Sequence, residues 1–294
     1  MSNPFFSIVM PVYNRERLVE RAIQSVLDQT FHSFEVIVVD DGSTDGTGNA
    51  VAKFKDARIK YFYKQNEERS IARNYGIERA AGQYVNFLDS DDMFYPEHLQ
   101  IAHEAVAKRG APEILHTGYE IKDELGKVLA RRDQFTNTVN KELIFDNCLQ
   151  CNSIFIKKSA LNEIAFIQSR DAILSEDWFL WLRLAARYPI HCDNRVTSVV
   201  YEHSQRSLNQ LKAAKVERSI LLILENLEAD DVFKRYYGRF YNRFKARKFC
   251  FIALIFVIEN NKSRSLFYLK EALKSYPSVV FAKAFLAVLK KIIL

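Results

Sequence analysis

The sequence predicts an α/β protein with a mostly parallel sheet flanked by helices and an all-helical C-terminal extension. Strand-like and helix-like segments alternate through the first 92 residues, their connections are short, and only helical patterns follow about residue 208. Short connections of this kind imply right-handed crossovers, which place successive strands side by side in parallel. With 294 residues and 48% hydrophobic content, the chain is long enough for one large α/β domain and a smaller appendage.

The N-terminal elements follow from apolar runs and turn signals. Phe5–Met10 is a short apolar strand that Pro11 ends, and Arg15–Gln29 repeats apolar residues at helical spacing. The near-continuous apolar run Phe34–Val39 indicates a strand covered on both faces. Asp40–Asp45 is typical of a turn and a helix N-cap. The remaining elements predicted here are a helix to about Phe54, a strand at Arg58–Tyr63, a helix at Ser70–Ala80 closed by Gly82, and a strand at Tyr84–Leu88.

A different pattern begins near Glu113. Shorter strands are predicted at Glu113–Glu120, Lys127–Arg131, Ser153–Lys157 and Val196–Tyr201, with a helix from about Glu176 to Arg187. From about Leu208 only helices are predicted, with breaks near Asp230, near Asn260–Lys262 and at Pro277. We therefore predict a first domain over residues 1–207, with halves of about 1–92 and 93–207, and a helical extension over residues 208–294.

The net charge of +6 is unevenly distributed. Residues 212–294 carry 17 basic and seven acidic side chains, whereas the first 211 residues have a net charge of −4. An acidic first domain argues against a nucleic-acid enzyme, whose groove is normally positive. The basic extension indicates contact with something anionic.

Two further features concern the compartment. No basic residue precedes Arg15, so no signal peptide is indicated, and no apolar run reaches the ~20 residues of a membrane span. Cys148 and Cys151 have the spacing of a zinc or redox pair, but neither a second pair nor nearby histidines accompany them. We expect ordinary reduced thiols and a cytoplasmic protein.

Polar residues follow three of the predicted parallel strands. Tyr13 and Asn14 come after the first strand, Asp40-Asp41 after the second, and Asp89-Ser90-Asp91-Asp92 after the fourth. In such sheets, ligands bind outside the carboxyl ends of the strands. Three carboxylates at the end of an apolar strand repel one another, and a divalent cation with oxygen ligands relieves that repulsion. This edge of the sheet is therefore a candidate site for a metal and a phosphate-bearing ligand.

Taken together and in order, the motifs of residues 5–205 resemble the family 2 glycosyltransferases, which are inverting, nucleotide-sugar-dependent enzymes with the GT-A fold. One departure from the family is Asn66–Ser70, where a glycine-containing loop is common. The motifs that carry the resemblance are Ser7–Asn14, Gln29-Thr30-Phe31, Val38–Asp45, Ala72-Arg73-Asn74, Gly82–Val85, Asp89–Asp92 and Ser175–Trp178.

The resemblance implies a role for each motif. The half at 1–92 would bind the nucleotide sugar, most simply a UDP-sugar, and the half at 93–207 would bind a saccharide or lipid-linked saccharide acceptor. A Mn or Mg divalent cation would neutralise the departing diphosphate. The implied residues are Pro11, Tyr13, Asp41, Arg73 and Asp89 for the nucleotide, Asp91 and His203 for the metal, Asp177 as general base, and Glu176 to orient the acceptor or its loop.

Plainer structural roles are open for the same residues. Asp40 and Asp41 suit a turn and helix cap, Arg73 a surface ion pair, and Glu176-Asp177 the acidic start of a helix. A lone histidine such as His203 is more often structural, and Asp92 suits a supporting or capping role. The competing functions are a sugar nucleotidyltransferase, an Asp-x-Asp phosphatase, and a nucleotide-sugar-binding module without catalysis.

The extension combines basic and aromatic residues. Lys234–Lys248 contains seven basic residues and no acidic one, and Phe249–Ile258 is wholly apolar. This pattern indicates a surface that could lie on an anionic membrane, such as the inner face of the cell membrane. Packing of the apolar faces within the protein and a homodimer interface are the alternatives.

Overall fold

The computed structural model describes residues 3–202 and 212–293. This part of the chain divides into two compact units. The sheet unit contains residues 3–140, 148–170 and 188–202, and the helical unit contains residues 141–147, 171–187 and 212–293. The predicted metal ligand His203 lies outside the described residues.

The described residues of the sheet unit form one nine-stranded sheet in the order β3-β2-β1-β4-β8-β6-β9-β5, with β7 paired to β6. Strands β3, β2, β1 and β4 are parallel to one another, as the short crossovers predict. Antiparallel neighbours appear only after β4. The strands are β1 (Phe6–Val12), β2 (Phe34–Asp40), β3 (Ile59–Tyr63), β4 (Tyr84–Phe87), β5 (Met93–Phe94), β6 (Ile114–Asp123), β7 (Val128–Arg132), β8 (Ile154–Lys157) and β9 (Ile190–Glu202).

Helices cover both faces of the parallel part of the sheet. Helices α1 (Val19–Leu27), α2 (Thr47–Ala52) and α4 (His98–Lys108) bury their apolar sides in the core that also contains Ile8 and Val36. Helix α3 (Arg69–Arg79) packs closely on another part of the sheet, since a Cβ added at Gly76 would lie 2.4 Å from Val9. The α/β fold class predicted from the sequence is confirmed.

The helical unit contains α5 (Glu176–Ala185), α6 (Ala213–Ala229), α7 (Asp231–Ile258), α8 (Lys262–Ser275) and α9 (Lys283–Ile293). Helix α7 begins after Asp230, whose side chain accepts hydrogen bonds from the backbone N–H groups of Val232 and Phe233. Most apolar residues of Phe249–Ile258 are buried, although Phe251 and Ile258 are exposed. This burial agrees with the packing alternative for the apolar half of the extension.

Within residues 3–202 and 212–293, none of the helices has both the length and the hydropathy that crossing a membrane requires. The four cysteines are free thiols, and three of them are buried.

Candidate active site

The loops that follow β1 and β2 are tied to each other by hydrogen bonds. The backbone N–H of Asn14 donates to Ser43 Oγ at 2.9 Å, and Thr44 N–H donates to Asn14 Oδ1 at 2.8 Å. Gly42 permits this arrangement with φ near +83°, and a Cβ there would lie 2.8 Å from the backbone nitrogen of Asn66. The carboxyl ends of two neighbouring parallel strands thus form one connected rim.

Asp41 is a buried carboxylate within this rim. Its Oδ1 accepts from Lys64 Nζ at 2.8 Å and from the backbone N–H of Glu67 at 3.0 Å. Burial alone disfavours the lysine's charge, but hydrogen bonds to Asp41 and Glu67 raise the pKa of Lys64 above its ordinary value. Asp41 therefore fixes the conformation of the loop after β3, the loop that departs from the family pattern.

Asp40 holds the turn itself. Its Oδ1 accepts from the backbone N–H of Ser43 at 2.7 Å, and its Oδ2 accepts from Tyr61 Oη at 2.6 Å. Burial and this carboxylate raise the pKa of Tyr61, so the phenol stays protonated as a donor. Asp40 thus bonds to its own turn and to β3, whereas Asp41 bonds to the loop that follows β3.

Two other predicted nucleotide contacts lie at the end of β1. Pro11 is half-buried and pairs in register with Val39 of β2. Tyr13 follows the strand and is 47% exposed. An exposed aromatic ring beside a polar rim offers a face on which a nucleobase can stack.

Arg73 and Asp89 form an ion pair that joins α3 to the loop after β4. Arg73 Nη2 donates to Asp89 Oδ1 at 2.7 Å, and the side chains are 1% and 31% exposed. The guanidinium carbon also lies 5.3 Å from the centre of the Phe166 ring. Asn74 fixes that ring's segment, because its side chain exchanges hydrogen bonds with the backbone N–H and carbonyl of Phe166. Within the motif Ala72-Arg73-Asn74, Arg73 thus pairs with the acid that follows β4, and Asn74 holds the segment that contains Phe166.

The acids of the Asp89–Asp92 loop differ in their surroundings. Asp92 is buried and accepts from the backbone N–H of Tyr201 at 3.0 Å and from Asn152 Nδ2 at 3.4 Å. It therefore anchors the end of β9. Asp91 is half-buried, and its backbone carbonyl accepts from Arg21 Nη2 at 2.8 Å.

The donor set of this loop suits a hard divalent cation. Asp89 and Asp91 supply carboxylate oxygens two residues apart, and Mg²⁺ and Mn²⁺ are commonly bound by one or two carboxylates plus substrate phosphates. The part of the chain that the structure describes has no cluster of three or more His, Cys, Asp or Glu side chains around a common position. A cation here would complete its coordination with diphosphate oxygens, water or residues outside the described part.

Asp177 lies in the helical unit, at the first turn of α5. Its Oδ1 accepts from the backbone N–H of Trp178 at 2.6 Å, and Asn147 Nδ2 donates to its Oδ2 at 3.3 Å. Ser175, just before the helix, has a left-handed backbone with φ near +59°. Asp177 is half-buried, whereas the neighbouring Glu176 is 4% exposed. Of the two acids, Asp177 is therefore the one more open to a reactant.

Lys248 of α7 lies beside Trp178, the residue that follows this acid. Its Nζ lies 4.0 Å from the centre of the Trp178 ring, and Asp177 is close enough to interact with its charge. Burial lowers the pKa of Lys248 to about 7, with Asp177 opposing the shift and Arg247 reinforcing it.

Three residues that contact or face these acids, Lys64, Asn147 and Lys248, were not among the predicted site residues. No local pattern marks them, because each contacts its acid across a separation of 23 to 71 residues. The sequence also places Lys248 at the end of a basic segment, immediately before the apolar run that starts at Phe249, and this does not distinguish it from the neighbouring basic residues.

Comparison with known proteins defines the family. Residues 7–163, just over half of the chain, match the model for glycosyl transferase family 2. The chain belongs to that family. This confirms the resemblance seen in the sequence.

Two curated relatives illustrate the range of similarity. The UDP-Glc:α-D-GlcNAc-diphosphoundecaprenol β-1,3-glucosyltransferase WfgD of Escherichia coli is 30% identical over 230 residues, which cover 74% of this chain and 85% of WfgD. An uncharacterized glycosyltransferase of Rickettsia conorii is 36% identical over 188 residues, which cover 63% of this chain. The chain spans less than a third of the length of that protein and of two further Rickettsia relatives.

Solved structures share the fold. S. aureus TarS residues 1–349 in complex with UDP-GlcNAc superposes with a TM-score of 0.67 at 18% identity, covering 93% of this chain and 91% of that one. The mannosyltransferase PcManGT from Pyrobaculum calidifontis, in complex with GDP-Man and Mn²⁺, superposes with a TM-score of 0.61 at 16% identity, covering 99% and 79%. These likenesses establish the GT-A-like fold, with helices following the sheet domain.

Proposed function

We propose that this protein transfers a sugar, with inversion, from a nucleoside-diphosphate donor to a hydroxyl group of a saccharide or lipid-linked saccharide in polysaccharide synthesis. The observation that carries the proposal is the ion pair of buried Arg73 with Asp89 at the carboxyl ends of the parallel strands, within a chain of this family. UDP-sugar is the favoured donor, since WfgD uses UDP-Glc and TarS binds UDP-GlcNAc.

The donor residues divide the work of binding. Tyr13 and Pro11 offer a surface for the base, while Asp41 and Lys64 fix the loop beside it. Asp89, which is held by Arg73, would bind the ribose. Asp91 is the main candidate metal ligand, joined by His203. A divalent cation bound there supplies a Lewis acid and a template for the diphosphate.

The acceptor hydroxyl needs a base. In the proposed step Asp177 removes its proton while the oxygen attacks the anomeric carbon, and the bond from that carbon to the diphosphate breaks. Asn147 holds one oxygen of Asp177 and leaves the other with its backbone contact to Trp178. The neighbouring Glu176, which is buried, would orient the acceptor or its loop. Positioned general bases are worth typically about 10²–10⁴-fold in rate.

The proposal is tested by turnover of UDP-sugars with Mn²⁺ and soluble acceptors, comparing the wild type with Asp177→Asn. We expect the variant to lose about 10²–10⁴-fold in kcat while it still binds UDP. The control variant is Glu225→Gln, which alters an exposed acid on α6 of the same unit and should leave kcat unchanged. If the wild-type protein binds a UDP-sugar but transfers its sugar to none of the acceptors, the proposal is wrong and the protein is a binding module.

A further inference from the structure

A row of arginines runs along helix α7. Arg235, Arg239, Arg243 and Arg247 recur at every fourth position, and all four are exposed. Residues four apart lie on one side of a helix, roughly 6 Å apart along its axis. Four like charges so placed repel one another, which disfavours the row unless an anion is bound there.

The C-terminal end of the row reaches the loop that supports Asp177. Arg247 Nη1 donates to the carbonyl oxygen of Phe145 at 2.6 Å, and Arg243 lies 4.9 Å from the centre of the Phe145 ring. Two residues further along that loop, Asn147 donates to Asp177. These contacts all lie within the helical unit.

The surroundings of these two arginines differ from those of Lys234 and Lys245 on the same helix. Within the part of the chain that the structure describes, no carboxylate pairs with Arg243 or Arg247, whereas Lys234 and Lys245 of the same helix pair with Asp231 and Glu228. The Arg247 guanidinium is held by one backbone oxygen, so its orientation is set while other N–H groups stay available. An oriented guanidinium suits a phosphate, which it can bind through two parallel hydrogen bonds.

We propose that Arg243 and Arg247 bind the diphosphate of the acceptor, so that this enzyme acts on a sugar carried on a diphosphate-linked lipid. The inference rests on the proposed function, because it places the acceptor beside Asp177. A diphosphate has two phosphate groups, matching two guanidinium groups one helical turn apart. Arg235 lies roughly 18 Å from Arg247 along the helix and is outside this site.

Calorimetric titration with farnesyl diphosphate tests the proposal without requiring a known acceptor sugar. EDTA in the cell removes divalent cations, on which binding of a diphosphate at the proposed donor site depends, and so suppresses binding there. We expect wild-type protein to bind farnesyl diphosphate more tightly than farnesol, and Arg243→Gln and Arg247→Gln each to weaken that binding about tenfold. Arg235→Gln removes the same charge from the same helix and should leave the affinity unchanged.

Four results would overturn the proposal: no binding by the wild type, equal binding of farnesol, undiminished affinity in both Arg243→Gln and Arg247→Gln, or an equal loss in Arg235→Gln. If the two variants lose binding only to phosphatidylglycerol vesicles, the row is a membrane contact instead. Arg243→Gln keeps the test valid should Arg247→Gln disturb the loop, because Arg243 approaches the loop at the Phe145 ring and makes none of the backbone hydrogen bonds described for it. A wild type without turnover would refute the proposed function, while this titration would still decide the phosphate site.

Discussion

Of the neighbouring acids Asp91 and Asp92, we expect the first to bind a metal ion and the second to stabilise the fold. Substitutions at the two positions can distinguish these roles. Asp92 is buried and accepts hydrogen bonds from Tyr201 and Asn152. Asp92→Asn would set an amide donor against one of these donors, so we expect unfolding free energy to fall by about 1–3 kcal/mol. Urea unfolding measures this. Asp91→Asn is the matched variant, with an expected smaller change in stability and a loss of metal-dependent donor binding. Equal destabilisation by both would contradict the distinction.

Lys248 gives a pH-dependent prediction. Its pKa in the folded protein is lowered to about 7 by burial, so between pH ~7 and the ordinary lysine value of ~10.4 the unfolded chain binds more protons. Stability linked to this group therefore rises with pH across that window, and its full penalty is present below pH ~7.

We expect the melting temperature of the wild type, relative to that of Lys248→Met, to rise as the pH is raised from 7 to 9. Differential scanning calorimetry of both proteins in matched buffers measures the difference. Lys245→Met, which removes the partner of Glu228 from the same helix, is the control and should not reproduce the trend. A constant difference between wild type and Lys248→Met at all pH values would refute the assignment.

At the scale of elements, the junction between α6 and α7 depends on one side chain. Asp230 caps α7 and pairs with Arg183 and Arg187 of the α5 region at 3.0 and 2.9 Å, with 6% of its side chain exposed. Burial disfavours its charge, but hydrogen bonds from Arg187, the Phe233 backbone and Arg183 lower the pKa of Asp230 to about 2. Since this pKa is depressed, the linked stability is present above pH ~4 and is lost as pH falls towards 2.

Asp230→Ala removes the cap and leaves two arginines without their buried partner. We expect a loss of about 3–5 kcal/mol in unfolding free energy at pH 7, measured by urea titration. Asp231→Ala is the control, because Asp231 is exposed and its ion pair is with Lys234, one turn along the same helix. A loss below about 1 kcal/mol for Asp230→Ala would show that the junction does not depend on this carboxylate.

The elements also show what local patterns can and cannot predict. The strands and helices of residues 5–92 were predicted close to their observed bounds, because parallel buried strands read as apolar runs. Helix α1 begins at Val19, four residues after the predicted start. Helix α4 and the short β5 were not predicted. Strand β9 begins at Ile190, before the predicted Val196, because pairing with β6 extends a segment of polar residues. Similarly, the contact of Asn147 with Asp177 depends on tertiary packing.

At the scale of the whole molecule, donor binding should appear as a gain in stability that requires a divalent cation. Ligands that bind only the native state raise the unfolding free energy by RT ln(1 + [L]/Kd), about 2.7 kcal/mol at a hundred times Kd. We expect one UDP-sugar, with Mn²⁺, to raise the melting temperature of the full chain more than other nucleotide sugars do, and EDTA to abolish most of the shift. Thermal unfolding across a panel of UDP-, GDP- and dTDP-sugars measures this.

Asp91→Asn and His203→Ala should each lose the Mn²⁺-dependent part of the rise in melting temperature, while Arg235→Gln should keep it. A shift that persists in EDTA and in Asp91→Asn would place the donor's diphosphate away from this acidic loop and refute the proposed metal role.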